Sequence, residues 1–298
     1  MNCFLLIIFL SELSNFKKQK IKVALCVVAK EENRYISEFI DYYKKLGINK
    51  IYLYDNNNIN GEKFDDILKN YIKKKIVQII DFRGILRPQK LAFSQCYYNN
   101  KYNYDWIAFY DVDEFLYLYK FQRIDKFLSL SKFKNCSSLL INWKNYGDNN
   151  NIFYEQKPLS QRFLKPIIFS EKQKKHKFRY YASKSIVRGG LNITWKHFPH
   201  FLKDHNICRP NGEKIENPFS PPDYSSAFIK HYTTKSTEEY IDKLLKGDVL
   251  VNFEINKSYY KNRINDYYFF FNNKTQDKIK LFEKKFNINL NFIPKEKN

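Results

Sequence analysis

At 298 residues the chain is long enough for one large α/β domain or two small ones, with a substantial core. Basic residues outnumber acidic ones by 52 to 31, and a formal net charge of +21 makes nucleic acid, an anionic membrane face and a phosphorylated substrate the partners to weigh. The five cysteines (Cys3, Cys26, Cys96, Cys136, Cys208) show no paired spacing, which argues against a zinc site or a disulfide framework and predicts buried free thiols in a reducing compartment.

The lysine excess accompanies abundant Asn, Ile, Phe and Tyr, as AT-rich coding sequence would give, and is spread along the chain. Its origin is compositional, but the field it creates is real. The apolar run from Cys3 to Leu10 is shorter than the about 20 residues that cross a bilayer. It also lacks the positive start and small-residue cleavage site of a signal peptide. Residues 1–20 therefore read as a segment that at most docks on a membrane surface.

From Lys20 onward, strands and helices alternate. Val23–Ala29 is a continuous apolar run, as in a strand covered on both faces. Residues 33–46 place Ile36, Phe39, Ile40 and Tyr43 at helical spacing, with Gly47 as the stop. Residues 50–54 form the next strand, followed by the turn formers Asp55 to Asn58. A helix over 64–72, a strand over 76–80, and a helix over 88–99 with Pro88 in its first turn come next. The strand over 106–110 runs into Asp111-Val112-Asp113-Glu114-Phe115. Later, residues 137–142 read as a strand, 143–151 as a polar loop and 165–222 as irregular. Residues 236–245 are a helix with a Ser236/Glu239 capping box, and 276–286 a last amphipathic helix. The series predicts a mostly parallel sheet whose polar loops gather at the carboxyl ends of the strands, where such sheets bind ligands.

A lone Asp-x-Asp pair carries little information, because chance supplies one in a chain of this length. Its place here does carry some. Asp111 and Asp113 follow an apolar strand at the ligand rim, and period-two spacing would turn both carboxylates one way. Two hard oxygen ligands suit Mg²⁺ or Mn²⁺, which bind carboxylates together with substrate phosphates. The bland alternative is that the pair caps a turn. Haloacid-dehalogenase-type phosphatases share the two aspartates, but on a first strand and usually with Thr or Val where Phe115 stands. A nucleotidyltransferase would show a Gly- or Arg-rich loop in place of Lys30-Glu31-Glu32-Asn33. A basic nucleic-acid module would use Tyr and Phe for stacking, yet these residues sit mostly at core spacings.

The stretch Val23-Ala-Leu-Cys-Val-Val-Ala-Lys-Glu-Glu-Asn33, then Tyr54-Asp-Asn-Asn57, Asp81-Phe-Arg-Gly84 with Gln89, and Trp106 to Phe115 resembles the glycosyltransferase family 92 and family 2-like group. The likeness continues through Asn142-Trp143, Tyr146-Gly-Asp-Asn149, Lys184-Ser-Ile-Val187, Pro199-His200 and His231-Tyr-Thr-Thr-Lys-Ser236. The resemblance implies a GT-A fold, Rossmann-like with helices flanking a mostly parallel sheet and an acceptor-side C-terminal region. It also implies a UDP-sugar donor, Mn²⁺ or Mg²⁺, and inversion at the anomeric carbon. Carried over by position, Ala29, Lys30, Glu32 and Asp55 would touch the uridine, with Arg83 and Gln89 on its diphosphate side. Asp111 and Asp113 would hold the metal, and His231 would close its site.

A neutral imidazole is an acceptable Mn²⁺ ligand, although a His beside Tyr232 is as readily a packed residue. Lys235 reads as a point charge for the diphosphate or as a solvated surface lysine. Trp143 and His200, the latter within the aromatic segment 195–201, suit a sugar pocket, and a packed aromatic cluster is the alternative. For the general base, Asp148 in its loop comes first, ahead of Glu155, Glu171 and Asp204. The expected organisation is a peripheral segment 1–20, a catalytic domain 21–235 with donor half 21–135 and acceptor half 136–235, and a helical extension 236–298. The expected partners are a nucleotide sugar and a glycan or glycolipid acceptor, with peripheral attraction to anionic membrane and no nucleic acid. The expected location is the cytoplasm, or the Golgi lumen in a eukaryote.

Overall fold

The structure, a computed structural model, describes residues 20–176, 180–193, 199–200, 202, 205–217, 219–246, 257–271 and 274–290. The apolar run of the first ten residues, residues 195–198 of the aromatic segment, Phe201 and Asp204 lie outside them.

The N-terminal half follows the expected alternation. Strands β1 (Val23–Ala29), β2 (Lys50–Asp55), β3 (Val77–Asp81) and β4 (Trp106–Phe109) are joined by helices α1 (Ile36–Leu46), α2 (Asp65–Lys73) and α3 (Pro88–Asn100). They pair in parallel in the order β3-β2-β1-β4. Side chains alternate across β1. Val23, Leu25 and Val27 pack in one layer with Ile36, Phe39 and Tyr43 of α1 and Leu68 of α2. Ala24, Cys26 and Val28 pack in the opposite layer with Phe93, Cys96 and Tyr97 of α3. Strands β2 and β3 step away from β1 on one side and β4 joins it on the other, so the sheet reverses direction between β1 and β4. Ligands bind at such a reversal. Gly47 stops α1 with φ +100°, in the left-handed region that favours glycine, as its position predicts.

Beyond β4 the sheet departs from the mostly parallel expectation. It continues β4-β7-β6-β10-β5, from β5 (Glu114–Leu118), β6 (Ser138–Asn145), β7 (Ser183–Arg188) and β10 (Ala227–His231). Strand β10 lies parallel to β6 and antiparallel to β5, while β7 is antiparallel to both β4 and β6. Short strands β8 (Ile207–Cys208) and β9 (Lys214–Ile215) extend it from β6. Residues 165–222 are thus not simply irregular. β6 also runs through Trp143 to Asn145, which read as loop, because β10 pairs with them. The short helices α4 (Ile124–Leu128), α5 (Leu159–Arg162) and α6 (Glu171–Lys174) decorate this half.

Helix α7 (Thr237–Leu245) opens with the expected reciprocal capping box between Ser236 and Glu239. It packs with α8 (Lys257–Asp266), the π-turn Tyr267–Phe271 and α9 (Gln276–Phe286) in a separate aromatic cluster around Tyr267 and Phe282. Among the described residues no helix is long and apolar enough to cross a membrane.

The expectation of free thiols is corrected. Cys26 is joined to Cys96 and Cys136 to Cys208, as disulfides between residues 70 and 72 positions apart. Spacing along the chain could not reveal bonds that the packing of α3 on β1 and of β8 near β6 creates.

Candidate active site

Two loops frame the sheet reversal from the β1 side. Ala29, the last residue of β1, lies opposite Asp55, the last of β2. The loop after Ala29 is held by Asn57, whose Oδ1 accepts the Glu31 N–H at 2.7 Å, and Glu31 has a left-handed φ of +53°. Asp55 is buried. Its Oδ2 accepts Arg83 Nε at 2.9 Å and Nη2 at 2.8 Å, and its Oδ1 accepts the Asn57 N–H. Asp55 and Arg83, expected on different parts of the nucleotide, thus hold each other. An open cleft lined by Lys63, Asp65, Asp66, Ile79, Asp81 and Arg83 lies beside them.

Asp111 to Asp113 form the turn between β4 and β5, and Glu114 opens β5, so the period-two argument does not apply to the two aspartates. The aspartates point to different partners. Asp111 accepts Lys184 Nζ at 2.7 Å and Gln89 Nε2 at 3.2 Å. Asp113 is buried and accepts Lys243 Nζ at 3.0 Å. Burial alone would raise the Asp113 carboxyl, but the ammonium groups of Lys243 and Lys235 outweigh it and hold it well below the usual range. Glu114, fully buried, accepts the Asp111 N–H with Oε2, while its Oε1 lies 3.4 Å from Lys184 and makes no hydrogen bond. Burial, reinforced by the charges of Asp111 and Asp113, drives the Glu114 carboxyl well above its ordinary value despite Lys184. Lys184 stays charged, because Asp111 and Glu114 more than offset its own burial.

His231 enters through the sheet. It stands opposite Glu114 across the β10–β5 ladder and beside Asn145 on β6. Its Nδ1 lies 3.0 Å from Asn145 Oδ1, and an amide oxygen only accepts, so the proton is assigned to Nδ1. Nε2 then presents a lone pair 3.7 Å from Asp113 Oδ1. Burial is the main cause that lowers the imidazole to about 3, so the ring is neutral in ordinary buffers. Ligand atoms of Asp113, Glu114 and His231 all lie within 4.8 Å of one another. Opposed acceptors in a buried space, with one Glu114 oxygen accepting no hydrogen bond, fit a hard divalent cation of the Mn²⁺ type. The triad differs from the expected Asp111, Asp113 and His231, because Asp111 is turned toward Lys184.

Helix α7 and the turn before it bring lysines to the same place. Lys235 is buried, has a left-handed φ of +57°, and lies over the Tyr35 ring at 4.3 Å. Burial lowers its ammonium below the ordinary lysine value. Lys246 pairs with Glu32 at 2.6 Å and donates to the Lys30 carbonyl, while Lys30 Nζ donates back to the Lys246 carbonyl. Four ammonium groups (Lys184, Lys235, Lys243, Lys246) therefore surround the carboxylates of Glu32, Asp111, Asp113 and Glu114. Such a setting suits a diphosphate carrying a cation.

The sequence profile of glycosyltransferase family 92 matches residues 21–290. The chain belongs to glycosyltransferase family 92. A family 92 protein of Arabidopsis thaliana is 32% identical over 106 residues, which are 34% of this chain and 18% of that protein. A Ricinus communis member is 24% identical over 97 residues, 33% of this chain and 17% of its own. This chain thus matches about a sixth of the length of these relatives. The crystal structure of S. aureus TarS in complex with UDP superposes with a TM-score of 0.40 at 13% identity, covering 84% of this chain and 72% of that one.

Within this family 92 chain the remaining expected residues divide. Trp143 packs on His231 with tilted rings whose centroids are 4.2 Å apart, and His200 meets Trp143 edge on at 5.6 Å. His200 is tied to the Ser183 carbonyl through Nδ1 at 2.7 Å, and burial lowers it to about 4. The Trp143 indole N–H is buried without a partner. Asp148 has other neighbours. Its Oδ2 accepts Tyr267 OH at 2.6 Å and lies 2.5 Å from Lys278 Nζ, and its Oδ1 accepts the Asn150 N–H. With both oxygens engaged it is placed as an anchor for the C-terminal helices, not to take an acceptor proton. Glu155 and Glu171 pair with the nearby Lys157 and Lys174.

The reading of residues missed Glu114, Lys184, Lys243 and Lys246. Lys184 and Glu114 stood inside quoted motifs. Lys243 follows Glu239 by four positions on α7, a spacing that puts both on one helix face.

Proposed function

We propose that this chain transfers a sugar from a nucleoside-diphosphate donor, a UDP-sugar, to a hydroxyl of a glycan or glycolipid acceptor, with inversion and with a divalent cation. The observation that carries this reading is the buried triad at the sheet reversal, where neutral His231 Nε2 faces Asp113 Oδ1 at 3.7 Å and ligand atoms of Asp113, Glu114 and His231 gather within 4.8 Å. Asp113, Glu114 and His231 would hold Mn²⁺ or Mg²⁺, which when bound neutralises the departing diphosphate. Gln89 and Lys184 fix Asp111 at the rim of that site. Lys235 and Lys243 meet the diphosphate oxygens, and Glu32 and the loop held by Asn57 receive the uridine, with buried Asp55 holding Arg83 and that loop in place. Trp143 and His200 form the wall on the sugar side. The acceptor oxygen bonds to the anomeric carbon as its bond to the diphosphate oxygen breaks, and the hydroxyl proton leaves to a base. The two disulfides suit an oxidising lumen over the cytosol.

The test is a donor screen that reads nucleoside-diphosphate release with each nucleotide sugar, in Mn²⁺ and in chelator. Release from one donor, dependent on Mn²⁺ and lost in Asp113→Ala, is the expected result. No release from any donor, together with equal UDP affinity in Mn²⁺ and chelator, would sink the reading.

A further inference from the structure

Of the two lysines paired to the aspartates, only one has freedom to leave. The Lys184 side chain is 1% exposed within the sheet, whereas that of Lys243 is 34% exposed on α7. Lys243 Nζ lies 3.0 Å from Asp113 Oδ2 and 3.1 Å from the Thr233 carbonyl, while His231 Nε2 approaches the other oxygen of the same carboxylate. The helix beneath it is fixed. Glu239, one turn earlier, accepts Arg162 at 2.6 and 2.9 Å and Tyr35 OH at 2.7 Å. The long lysine stem can therefore swing while its backbone stays in place.

Resting on the metal-dependent reading above, we propose that Lys243 makes cation and diphosphate binding interdependent: its ammonium occupies Asp113 in the free protein and moves onto the diphosphate when donor and cation bind together. Charge balance gives the reason. Asp111, Asp113 and Glu32 are already matched by Lys184, Lys243 and Lys246, with buried Lys235 set against the Tyr35 ring. A divalent cation arriving alone must displace or face the Lys243 ammonium on one carboxylate, and adds two charges to a balanced site. With a diphosphate present, Lys243 gains a new anionic partner and Asp113 is released for the cation. By linkage each ligand then strengthens the other by the same factor.

The two consequences have opposite signs, so simple damage cannot imitate them. In Lys243→Met, which keeps the stem and removes the charge, Mn²⁺ alone should bind roughly tenfold more tightly. UDP in saturating Mn²⁺ should bind roughly tenfold more weakly. Lys243→Arg keeps the charge and should keep the weak binding of Mn²⁺ alone. The experiment is calorimetric titration of the full chain with Mn²⁺, with and without UDP, for the parent and both variants. Unchanged or weaker binding of Mn²⁺ alone to Lys243→Met, or equal tightening in Lys243→Arg, overturns the inference and leaves the metal-dependent reading standing. Mn²⁺-independent UDP binding by the parent overturns both.

Discussion

Asp113 and Asp148 are both buried and both face a lysine ammonium, Lys243 at 3.0 Å and Lys278 at 2.5 Å. Their surroundings differ in how donors and acceptors are matched. Around Asp148, Tyr267 OH, Lys278 and the Asn150 N–H fill both oxygens, and the Lys278 side chain is 1% exposed. Around Asp113, a neutral imidazole nitrogen and a second carboxylate add acceptors, while the paired lysine reaches solvent. A buried polar cluster with all partners matched holds a fold together. One with surplus acceptors is incomplete without a cation.

The largest effect expected from this contrast is at Asp148. Asp148→Ala would take the carboxylate away from the buried Lys278 ammonium and the Tyr267 hydroxyl, and should cost about 3–5 kcal/mol of stability in chemical denaturation. Mn²⁺-dependent UDP binding by the fraction that remains folded should be unchanged. Normal stability with lost binding would reverse the roles assigned to the two aspartates.

Glu239 extends the structural side of the comparison. Burial would raise its carboxyl, but Arg162, Ser236 and Tyr35 hold it at about 2. A folded value below the unfolded one contributes stability that is present above the ordinary carboxylate range and lost as pH falls toward about 2. Glu239→Gln should therefore be about 3 kcal/mol less stable at pH 7. The gap to the parent should close on acidification below pH ~4. A gap that stays constant from pH 7 to pH ~3 would show that the charge of Glu239 contributes little.

Asp113→Ala should act on binding more than on folding. Its loss removes a carboxylate held well below the usual range, which costs some stability at pH 7, but the half-buried Lys243 can then turn toward water, so the melting temperature should fall much less than in Asp148→Ala. UDP affinity in Mn²⁺ should fall roughly 100-fold or more, to its value in chelator. A large drop in melting temperature would place Asp113 with Asp148 among the structural acids.

The fold up to β4 was legible because its signals are local. The apolar run of Val23–Ala29, the helical spacing of Ile36, Phe39, Ile40 and Tyr43, and Gly47 each report their own element. The part beyond β4 was not, because β5, β7 and β10 are defined by long-range partners. The register that sets His231 opposite Glu114 joins residues over a hundred positions apart and leaves no local trace. Asp111 was readable as part of a motif, yet its attachment to Lys184 depends on β7 lying beside β4. The cysteines misled for the same reason. Asp148 shows the converse error: a polar loop residue with a chemically suitable side chain became an anchor once α9 brought Lys278 against it.

His231 carries the smallest of these effects and the finest distinction. Its ring is already positioned by Asn145 and Trp143, so His231→Ala should leave a small cavity under Trp143 and little other disturbance. If Nε2 is the third ligand, Mn²⁺ should bind roughly tenfold more weakly in the presence of UDP, and His231→Asp should recover part of the loss by supplying an oxygen ligand. The pH profile separates this role from packing. Burial holds the imidazole to about 3, so the folded site keeps its lone pair at pH values where a free histidine would be protonated. Because the folded value is lowered, the unfolded chain takes up the extra proton, and the parent should lose stability as pH falls from about 6.5 toward about 3. His231→Ala should lack that component of the loss. Mn²⁺-dependent UDP binding by the parent should therefore hold steady between pH 7 and pH ~5.5 while stability begins to decline. A binding midpoint near 6.5, removed by His231→Ala, would instead mean that the imidazole is open to water. Mn²⁺ affinity in the presence of UDP left unchanged by His231→Ala would return the ring to a packing role beside Trp143.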